Sequence, residues 1–386
     1  MLLTSATPSV ESYHAAKSGR YALIELTHRY GDVQLPQVEV VDLRVEGAGD
    51  SFLSPTLLER MQTCLEENKQ IILLLNRRGF HTHVSCRSCG QVLTCPSCSI
   101  SLTHHRANNR LMCHYCGHSQ PFPSRCPNCD SEKLCFSGLG TQRIEDELAE
   151  LFPDVPVLRM DADTTMSRTA HEEKFKAFAA GKYRIMIGTQ MVAKGLDFPQ
   201  VGLVGVLTAD QSLYSDDYRS YETTFSLLTQ VIGRAGRRAE QGLAVVQTYT
   251  PDNPVIELAS QQDYADFFEL ENVARKTMHY PPYADLFLFG FSGVQEQKVR
   301  QAASRMLQLL RTAVSGEFAG VPVIALDPTP ASVVKVAGKY RYKMLVKARN
   351  NKRTRDLIRH LLHLIHNEPV ARGVSVYVDI NPASML

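Results

Sequence analysis

The stretch that decides how this chain folds is Cys86-x2-Cys89-x5-Cys95-x2-Cys98-x14-Cys113-x2-Cys116-x9-Cys126-x2-Cys129, four Cys-x-x-Cys pairs in one compact segment. Each such turn aims two thiolates at one point, and two turns complete a tetrahedral sulfur site suited to Zn²⁺. Eight ligands make two closed four-cysteine sites, hence two zinc ions per chain, and closed sites hold a fold rather than catalyse. A disulfide framework competes with this interpretation but fits poorly with the pair spacing and the intracellular character of the rest. A redox Cys-x-x-Cys would call for a surrounding strand–helix pattern that four tandem copies lack. Nested pairing puts Cys86, Cys89, Cys126 and Cys129 on one ion and Cys95, Cys98, Cys113 and Cys116 on the other. The inner site then closes a loop of ordinary zinc-ribbon length, whereas sequential pairing would close its first site around only five residues. A cross-braced arrangement is the alternative.

Outward from the cysteines, an α/β pattern runs on both sides. Upstream, Ser54-Pro55 supplies an N-cap and first helical position, and Leu57, Leu58, Met61 and Leu65 follow at helical spacing. The apolar run Ile71-Ile72-Leu73-Leu74-Leu75 has the length of a buried parallel strand, so the cysteine segment starts at that strand's C-terminal end, where α/β folds place functional loops. Downstream, a helix over 142–151 capped by Thr141 is followed by strands at 157–160, 184–187, 203–207 and 243–247, with helices at 167–180 and 218–231 between them. This alternation predicts a parallel sheet covered on both faces. The last quarter reads β-α-β-β-α-β, with strands at 286–291, 322–326, 342–348 and 374–379 and helices at 295–313 and 352–366, the order of a ferredoxin-like α+β unit. Tyr280-Pro281-Pro282-Tyr283 marks its upstream boundary. Between Lys335 and Arg359 ten Lys/Arg face one acid, Asp356, which is a solvated face, a nucleic-acid contact or a pocket for an acidic peptide tail.

Composition sets outer limits. A chain of 386 residues holds two or three domains, and a net charge of +2 gives no global basic field. The start lacks a charged n-region and long apolar core, and no stretch approaches the roughly 20 apolar residues of a membrane span, so a soluble, cytoplasmic protein with reduced thiols and no membrane partner is expected. Cys64 and Cys135, outside the cluster, are expected as buried small hydrophobes. Leu2-Leu3 followed by Thr4-Ser5-Ala6-Thr7 has the character of a buried strand's end and the loop after it, so a truncated chain is expected. A mixed strand at 21–26 and connecting structure fill the rest of the first 50 residues.

Three segments carry chemistry. Gln230-Val231-Ile232-Gly233-Arg234-Ala235-Gly236-Arg237 sets two arginines three residues apart among small residues, at an expected helix start, so that both guanidiniums can reach a triphosphate. A basic turn is the plainer interpretation. Ile187 to Phe198 follows a strand and offers the Thr189 hydroxyl, the Gly195 backbone and the Asp197 carboxylate to phosphate or ribose. Ser5 and Thr7 lie in a hydroxyl-rich loop. Together these segments resemble motifs VI, V and III of superfamily-two helicases, in the family's order. A second helicase lobe interrupted after its first strand by four Cys-x-x-Cys pairs resembles, over essentially the whole chain, the PriA family of primosomal replication-restart helicases.

The resemblance implies an ATP-dependent 3′→5′ DNA helicase with a RecA-like second lobe. Arg234 and Arg237 would reach ATP, with Gln230 at the lobe interface, Gly195 and Asp197 by the nucleotide and Thr189 by a DNA phosphate. Ser5 and Thr7 would couple nucleotide state to strand movement, and the loop bearing Tyr214, Tyr218 and Tyr221 is a candidate for coupling DNA contact to hydrolysis, or else packs in the core. The partners implied are forked or single-stranded DNA, the single-stranded-DNA-binding protein and the primosome proteins PriB, DnaT and the replicative helicase loader. On this basis residues 1–54 are the end of lobe one and a connector, 55–79 begin lobe two, 80–135 are the zinc insertion, 136–255 complete the lobe, 256–283 are a helical linker and 284–386 the ferredoxin-like domain. One departure is large: these residues contain no Gly-x4-Gly-Lys-Ser/Thr loop and no Asp-Glu-x-His box. ATP and Mg²⁺ are therefore expected only if a first lobe completes the site, and a non-enzymatic zinc-stabilised DNA- or partner-binding module is the alternative.

Overall fold

The structure is a computed structural model that describes residues 2–26, 34–47, 51–75, 84–96, 101–105, 109–113, 118–136, 141–160, 168–192, 198–215, 217–236, 241–336 and 338–385. Its first helix, α1 (Val10–Lys17), starts at Ser9, whose hydroxyl accepts the Ser12 N–H. The first strand, β1 (Gln37–Asp42), leads into the single turn α2 (Leu43–Glu46), and α3 (Pro55–Glu66) begins where the Ser54 hydroxyl accepts the Leu57 N–H. The next strand, β2 (Gln70–Leu74), is buried at every position, as a continuous apolar run between two helical layers requires. After the cysteine module, α4 (Thr141–Leu151), β8 (Val157–Met160), α5 (Arg168–Ala179), β9 (Ile185–Gly188), β10 (Val201–Val206), α6 (Asp210–Leu213), α7 (Ser220–Ile232) and β11 (Leu243–Thr248) complete the lobe. The strands form one parallel sheet in the order β1-β11-β10-β2-β9-β8.

The expected strand at 21–26 is not formed, and Ile24 and Leu26 are 78% and 93% exposed. The edge is taken by β1, whose Val41 is buried and whose Val38 packs on the core, in register from Gln37↔Leu243 to Asp42↔Thr248. Val38 and Val41 point to opposite faces of the sheet and each meets a separate core, whereas Tyr21, Leu23, Ile24 and Leu26 are all exposed.

Helices α8 (Pro254–Gln261) and α9 (Tyr264–Met278) pack beside α7, and Tyr13 of α1 sits edge-on between Tyr264 and Phe268 of α9, at 5.1 and 4.8 Å between centroids. The final unit comprises β12 (Asp285–Gly293), α10 (Glu296–Ser315), β13 (Val323–Ala325), β14 (Thr329–Val336), β15 (Lys339–Ala348), α11 (Lys352–Asn367) and β16 (Val374–Ile380). Its antiparallel order β13-β15-β12-β16 is that of a ferredoxin-like sheet, with β14 an added strand on β15. Sequence reading passes over β14 because Pro330 interrupts it and its register on β15 shifts between Pro330 and Lys335.

The lobe and the final unit share a small core of Tyr218, Tyr280, Leu286, Leu288, Leu345 and Met385. Tyr218 and Tyr280 stack at 4.7 Å with 5° between their planes, and the Lys347 ammonium lies 3.5 Å from the Tyr280 centroid. The tail returns to the lobe here: the Met385 N–H donates to Asp217 Oδ2, and Arg219 Nη1 donates to the Pro382 carbonyl at 3.0 Å.

Candidate functional site: a docked cysteine module on a helicase-like lobe

Within the module, β3 (Val84–Cys86) pairs with β7 (Leu134–Phe136), and β4 (Thr103–His105), β5 (Arg110–Met112) and β6 (Ser119–Pro121) form a small sheet. Two knuckles close in the same way. The Gly90 N–H donates to Cys86 O and the Cys86 N–H to Gln91 O, while the Asp130 N–H donates to Cys126 O and the Cys126 N–H to Ser131 O. Gly90 and Asp130 both take positive φ, +72° and +58°. Each turn thereby aims its two sulfurs inward. The Cys113 N–H donates to His118 O with the same five-residue span.

The four sulfurs of Cys86, Cys89, Cys126 and Cys129 lie within 4.8 Å of one another. The edges Cys86–Cys129 and Cys89–Cys126 measure 3.6 and 3.7 Å. A tetrahedron with Zn–S bonds of 2.3 Å has edges of about 3.8 Å, so the donor set fits zinc in size and in chemistry. These are the four ligands that nested pairing assigns to one ion. Of the other set, Cys95 and Cys113 are both buried in one apolar cluster with Val84, Leu93, Leu102 and Leu111, while Cys98 and Cys116 lie outside the described residues.

Four thiols this close cannot all ionise without a cation. Burial works against the Cys89 thiolate, but hydrogen bonds from Asn128, the Gln91 backbone and its neighbours bring it to about 7. The Ser131 backbone favours the Cys129 thiolate, and the surrounding thiols outweigh it and push the group up to about 12. A divalent cation at the centre reverses this competition. Cys64, by contrast, is a buried structural thiol that burial pushes up to about 11.

The module sits on the C-terminal edge of the parallel sheet. A Cβ on Gly90 would collide with the Tyr249 carbonyl and the Arg44 side chain, so the knuckle lies against the ends of β11 and β1. The Ser101 hydroxyl donates to the Tyr214 carbonyl. Tyr214 is half-buried against the lobe core, and its hydroxyl donates to Thr250 Oγ1 at 3.3 Å. The buried Asp210 carboxylate accepts from the Thr248 and Thr250 hydroxyls at 2.7 and 2.8 Å and from the Tyr249 N–H. The loop after β10 is thus pinned to β11 on one side and to the module on the other. Gly90→Ala is expected to cost more than Gly19→Ala: both glycines have positive φ, worth about 1–2 kcal/mol, but Gly19 faces open space and Gly90 meets backbone. Thermal melts of the two variants check this.

The motif residues divide between the two edges of the sheet. Thr189 follows β9 at the C-terminal edge, its carbonyl accepting the Val192 N–H, and Gly195 and Asp197 lie outside the described residues. The same segment then returns to the opposite edge, where the Val201 N–H donates to Phe198 O and the Gly236 N–H to Val201 O. Arg234 is there too, half-buried, and Arg237 lies outside the described residues. The expectation of a helix start for these arginines is corrected: Gly233 caps the C-terminal end of α7, and Arg234 comes just after it. Gly236, at φ +62°, is in backbone contact with Gly242 just before β11, so the helix that presents Arg234 precedes it. A cation suits the negative end of that helix.

Ser5 and Thr7 reach the same helix. The Thr7 N–H donates to Ser5 Oγ, the Thr7 and Ser226 hydroxyls share a 2.8 Å bond, and Gln230 Nε2 donates to Ser226 Oγ at 2.9 Å. Sequence reading missed what clamps this arrangement. Arg275 is 1% exposed and pairs with Glu271 and Glu11 at 2.9 and 3.0 Å and with Glu222, joining α9, α1 and α7. Burial penalises the Arg275 charge, yet three carboxylates more than offset it and raise its pKa, while burial pushes Glu271 up. A signal existed, since Phe267, Phe268, Glu271 and Arg275 share one helical stripe and 271/275 are an i,i+4 pair.

The basic run is also reassigned in part. Lys343 and Lys347 are buried, their ammonium groups donating to the Met385 and Met278 carbonyls at 2.6 and 2.7 Å. Arg349, Lys352, Arg353, Arg355 and Arg359 are exposed.

Comparison with known proteins places this geometry. Residues 132–239 match the helicase conserved C-terminal domain, 95–121 the Cys-rich region domain of PriA DNA helicase, a zinc ribbon, and 276–383 the primosomal protein N C-terminal domain. The replication restart protein PriA of Bacillus subtilis is 41% identical across 100% of this chain and 48% of its own length. That of Treponema pallidum is 36% identical across 100% of this chain and 57% of its own. Over its whole length the chain is similar to the C-terminal part of the PriA family. It spans about half the length of the PriA relatives it matches. Among solved structures, yeast Dbp5 bound to RNA and ADP BeF3 aligns over 71% of this chain and 54% of its own at 14% identity with a TM-score of 0.34, too loose a likeness to build on. No helix among the described residues is long and apolar enough to cross a membrane.

Proposed function

We propose that this chain supplies the second motor lobe, a two-zinc module and the C-terminal domain of an ATP-dependent 3′→5′ DNA helicase that acts in the cytoplasm in replication restart and primosome assembly at stalled forks. The supporting observation is the division of the motif residues between the two edges of one PriA-type sheet, separated by about 20 Å of β10. At one edge, Arg234 and Arg237 stabilise the γ-phosphate held by a facing lobe, Gly195 and Asp197 border the nucleotide, and Gln230 lines the lobe interface. At the other, Thr189 contacts a DNA phosphate beside the zinc module. The Ser5–Thr7–Ser226–Gln230 chain carries nucleotide state between them, and the Tyr214 loop, tied to the module, carries DNA contact. Two Zn²⁺, on Cys86/Cys89/Cys126/Cys129 and on Cys95/Cys98/Cys113/Cys116, hold the module that meets forked or single-stranded DNA. The exposed arginines of α11 suit the acidic tail of the single-stranded-DNA-binding protein, and PriB, DnaT and the replicative helicase loader complete the assembly.

The second interpretation, a zinc-stabilised binding module without catalysis, is favoured for these 386 residues by themselves because they contain no phosphate loop. ATP hydrolysis by the purified chain, with and without DNA, tests both. Background turnover is expected in each case, and robust DNA-stimulated turnover would sink the claim that a first, facing lobe is required.

A further inference from the structure

We infer that the open face of the C-terminal sheet is a base-stacking surface for single-stranded nucleic acid, with Tyr377 as its platform. This deepens the DNA-binding reading proposed above and rests on it. Helices α10 and α11 cover one face of the sheet through Phe287, Phe289, Phe291, Met344 and Val346. The other face is covered at one end only, where Leu286, Leu288 and Leu345 meet Tyr218, Tyr280 and Met385. Two cross-strand rows follow that contact. In Tyr377–Gly290–Lys343 the tyrosine is exposed while Lys343 is buried on the Met385 carbonyl, and the next row, Ser375–Ser292–Arg341, is open.

Tyr377 is 49% exposed, and its ring crosses onto the neighbouring strand. A Cβ on Gly290 would strike the ring at Cζ, Cε1 and the hydroxyl. The glycine therefore lets a large aromatic lie down on the sheet with half its surface open to solvent. Every nucleobase has a π-face, so a supported, exposed ring of this kind binds bases irrespective of sequence.

Charge selects the occupant. Arg341 and Lys339 project to the same face as Lys343, at alternate positions of β15 and about 6.8 Å apart along the strand, a spacing on the scale of one extended nucleotide. Asp379, on the same face, lies on the far side of Tyr377, so a polyanion is directed from the ring toward Arg341 and Lys339. An acidic peptide without aromatic or proline residues would satisfy the cations and gain nothing from the ring.

The chain contains no tryptophan, so Tyr377→Trp installs a single indole reporter at the platform. Titration with a single-stranded thymidine oligonucleotide is expected to quench its emission saturably, in step with binding followed by anisotropy. Tyr377→Leu, which still covers Gly290 but has no π-face, is expected to bind about five-fold more weakly or worse, with Tyr377→Phe near the parent. Arg341→Ala is expected to make the salt dependence shallower. Binding with unchanged indole emission and an unaffected Tyr377→Leu variant would overturn the platform while leaving DNA binding intact. No oligonucleotide binding at all would overturn the reading beneath it as well. Quenching by a Glu-rich peptide but not by the oligonucleotide would make the face a peptide site and overturn the proposal.

Discussion

Serine in place of Cys126 is expected to unfold the cysteine module while leaving most of the parallel sheet in place. The module's apolar cluster consists of Val84, Leu93, Cys95, Leu102, Leu111 and Cys113, with Phe122 and Leu134 against it. A core of that size cannot stand alone. Structural zinc sites contribute about 10–16 kcal/mol of apparent binding energy in small modules, comparable with the entire stability of a typical domain. The sheet, in contrast, keeps its own interior, since Ile71, Leu73, Ile185, Ile187 and Leu203 bury against Leu57, Met61, Ile144 and Leu148. Hydrogen exchange should lose protection across 84–136 and, through Ser101–Tyr214 and Gly90–Tyr249, around 209–215 and 249–250, with β2, β9 and β10 still protected. Removal of zinc by a chelator should give the same map. Uniform protection after either treatment would show that the metal is dispensable.

Arg275→Met should destabilise the chain by about 3–5 kcal/mol at neutral pH, because it strands Glu11, Glu222 and Glu271 without their shared cation. The pH dependence has a definite sign. Burial already pushes the Glu271 carboxyl up, and deletion of Arg275 removes the group that opposes that push. A carboxyl whose folded pKa lies above its unfolded value favours the folded state when protonated, so the defect is fully expressed above that folded pKa and relieved as pH falls through it. Urea melts at neutral and mildly acid pH should therefore show a gap between variant and parent that narrows on acidification. A constant gap would mean that lost packing, rather than stranded charge, causes the defect.

Much of the lobe was legible in the sequence because its strands are continuous apolar runs and its first helix carries an explicit cap. Ser54 and Pro55 start α3, and Gln70–Leu74 is buried throughout. The ferredoxin-like order was legible for the same reason. The cysteine pairs stated their own pairing problem, and the knuckle geometry of Gly90 and Asp130 brings together the outer four. What escaped reading depends on partners distant in sequence. Arg275 meets Glu11 across 264 residues, Asp217 meets Met385 across 168, and Lys343 and Lys347 looked like free surface charge until the tail and the end of α9 supplied their acceptors. The arginine segment reads equally well at either end of a helix because glycines occur at both kinds of terminus, and the Gly233 cap of α7 with the Gly236–Gly242 contact shows which applies.

Whether this lobe supplies arginines to a nucleotide site completed from elsewhere is decided by a chimera in which this chain replaces the matched half of the Bacillus subtilis relative. DNA-stimulated ATP hydrolysis is expected from the chimera, and Arg234→Ala should reduce kcat by about a thousand-fold or more, the scale of a γ-phosphate arginine. Undiminished turnover in the Arg234→Ala chimera would contradict the account.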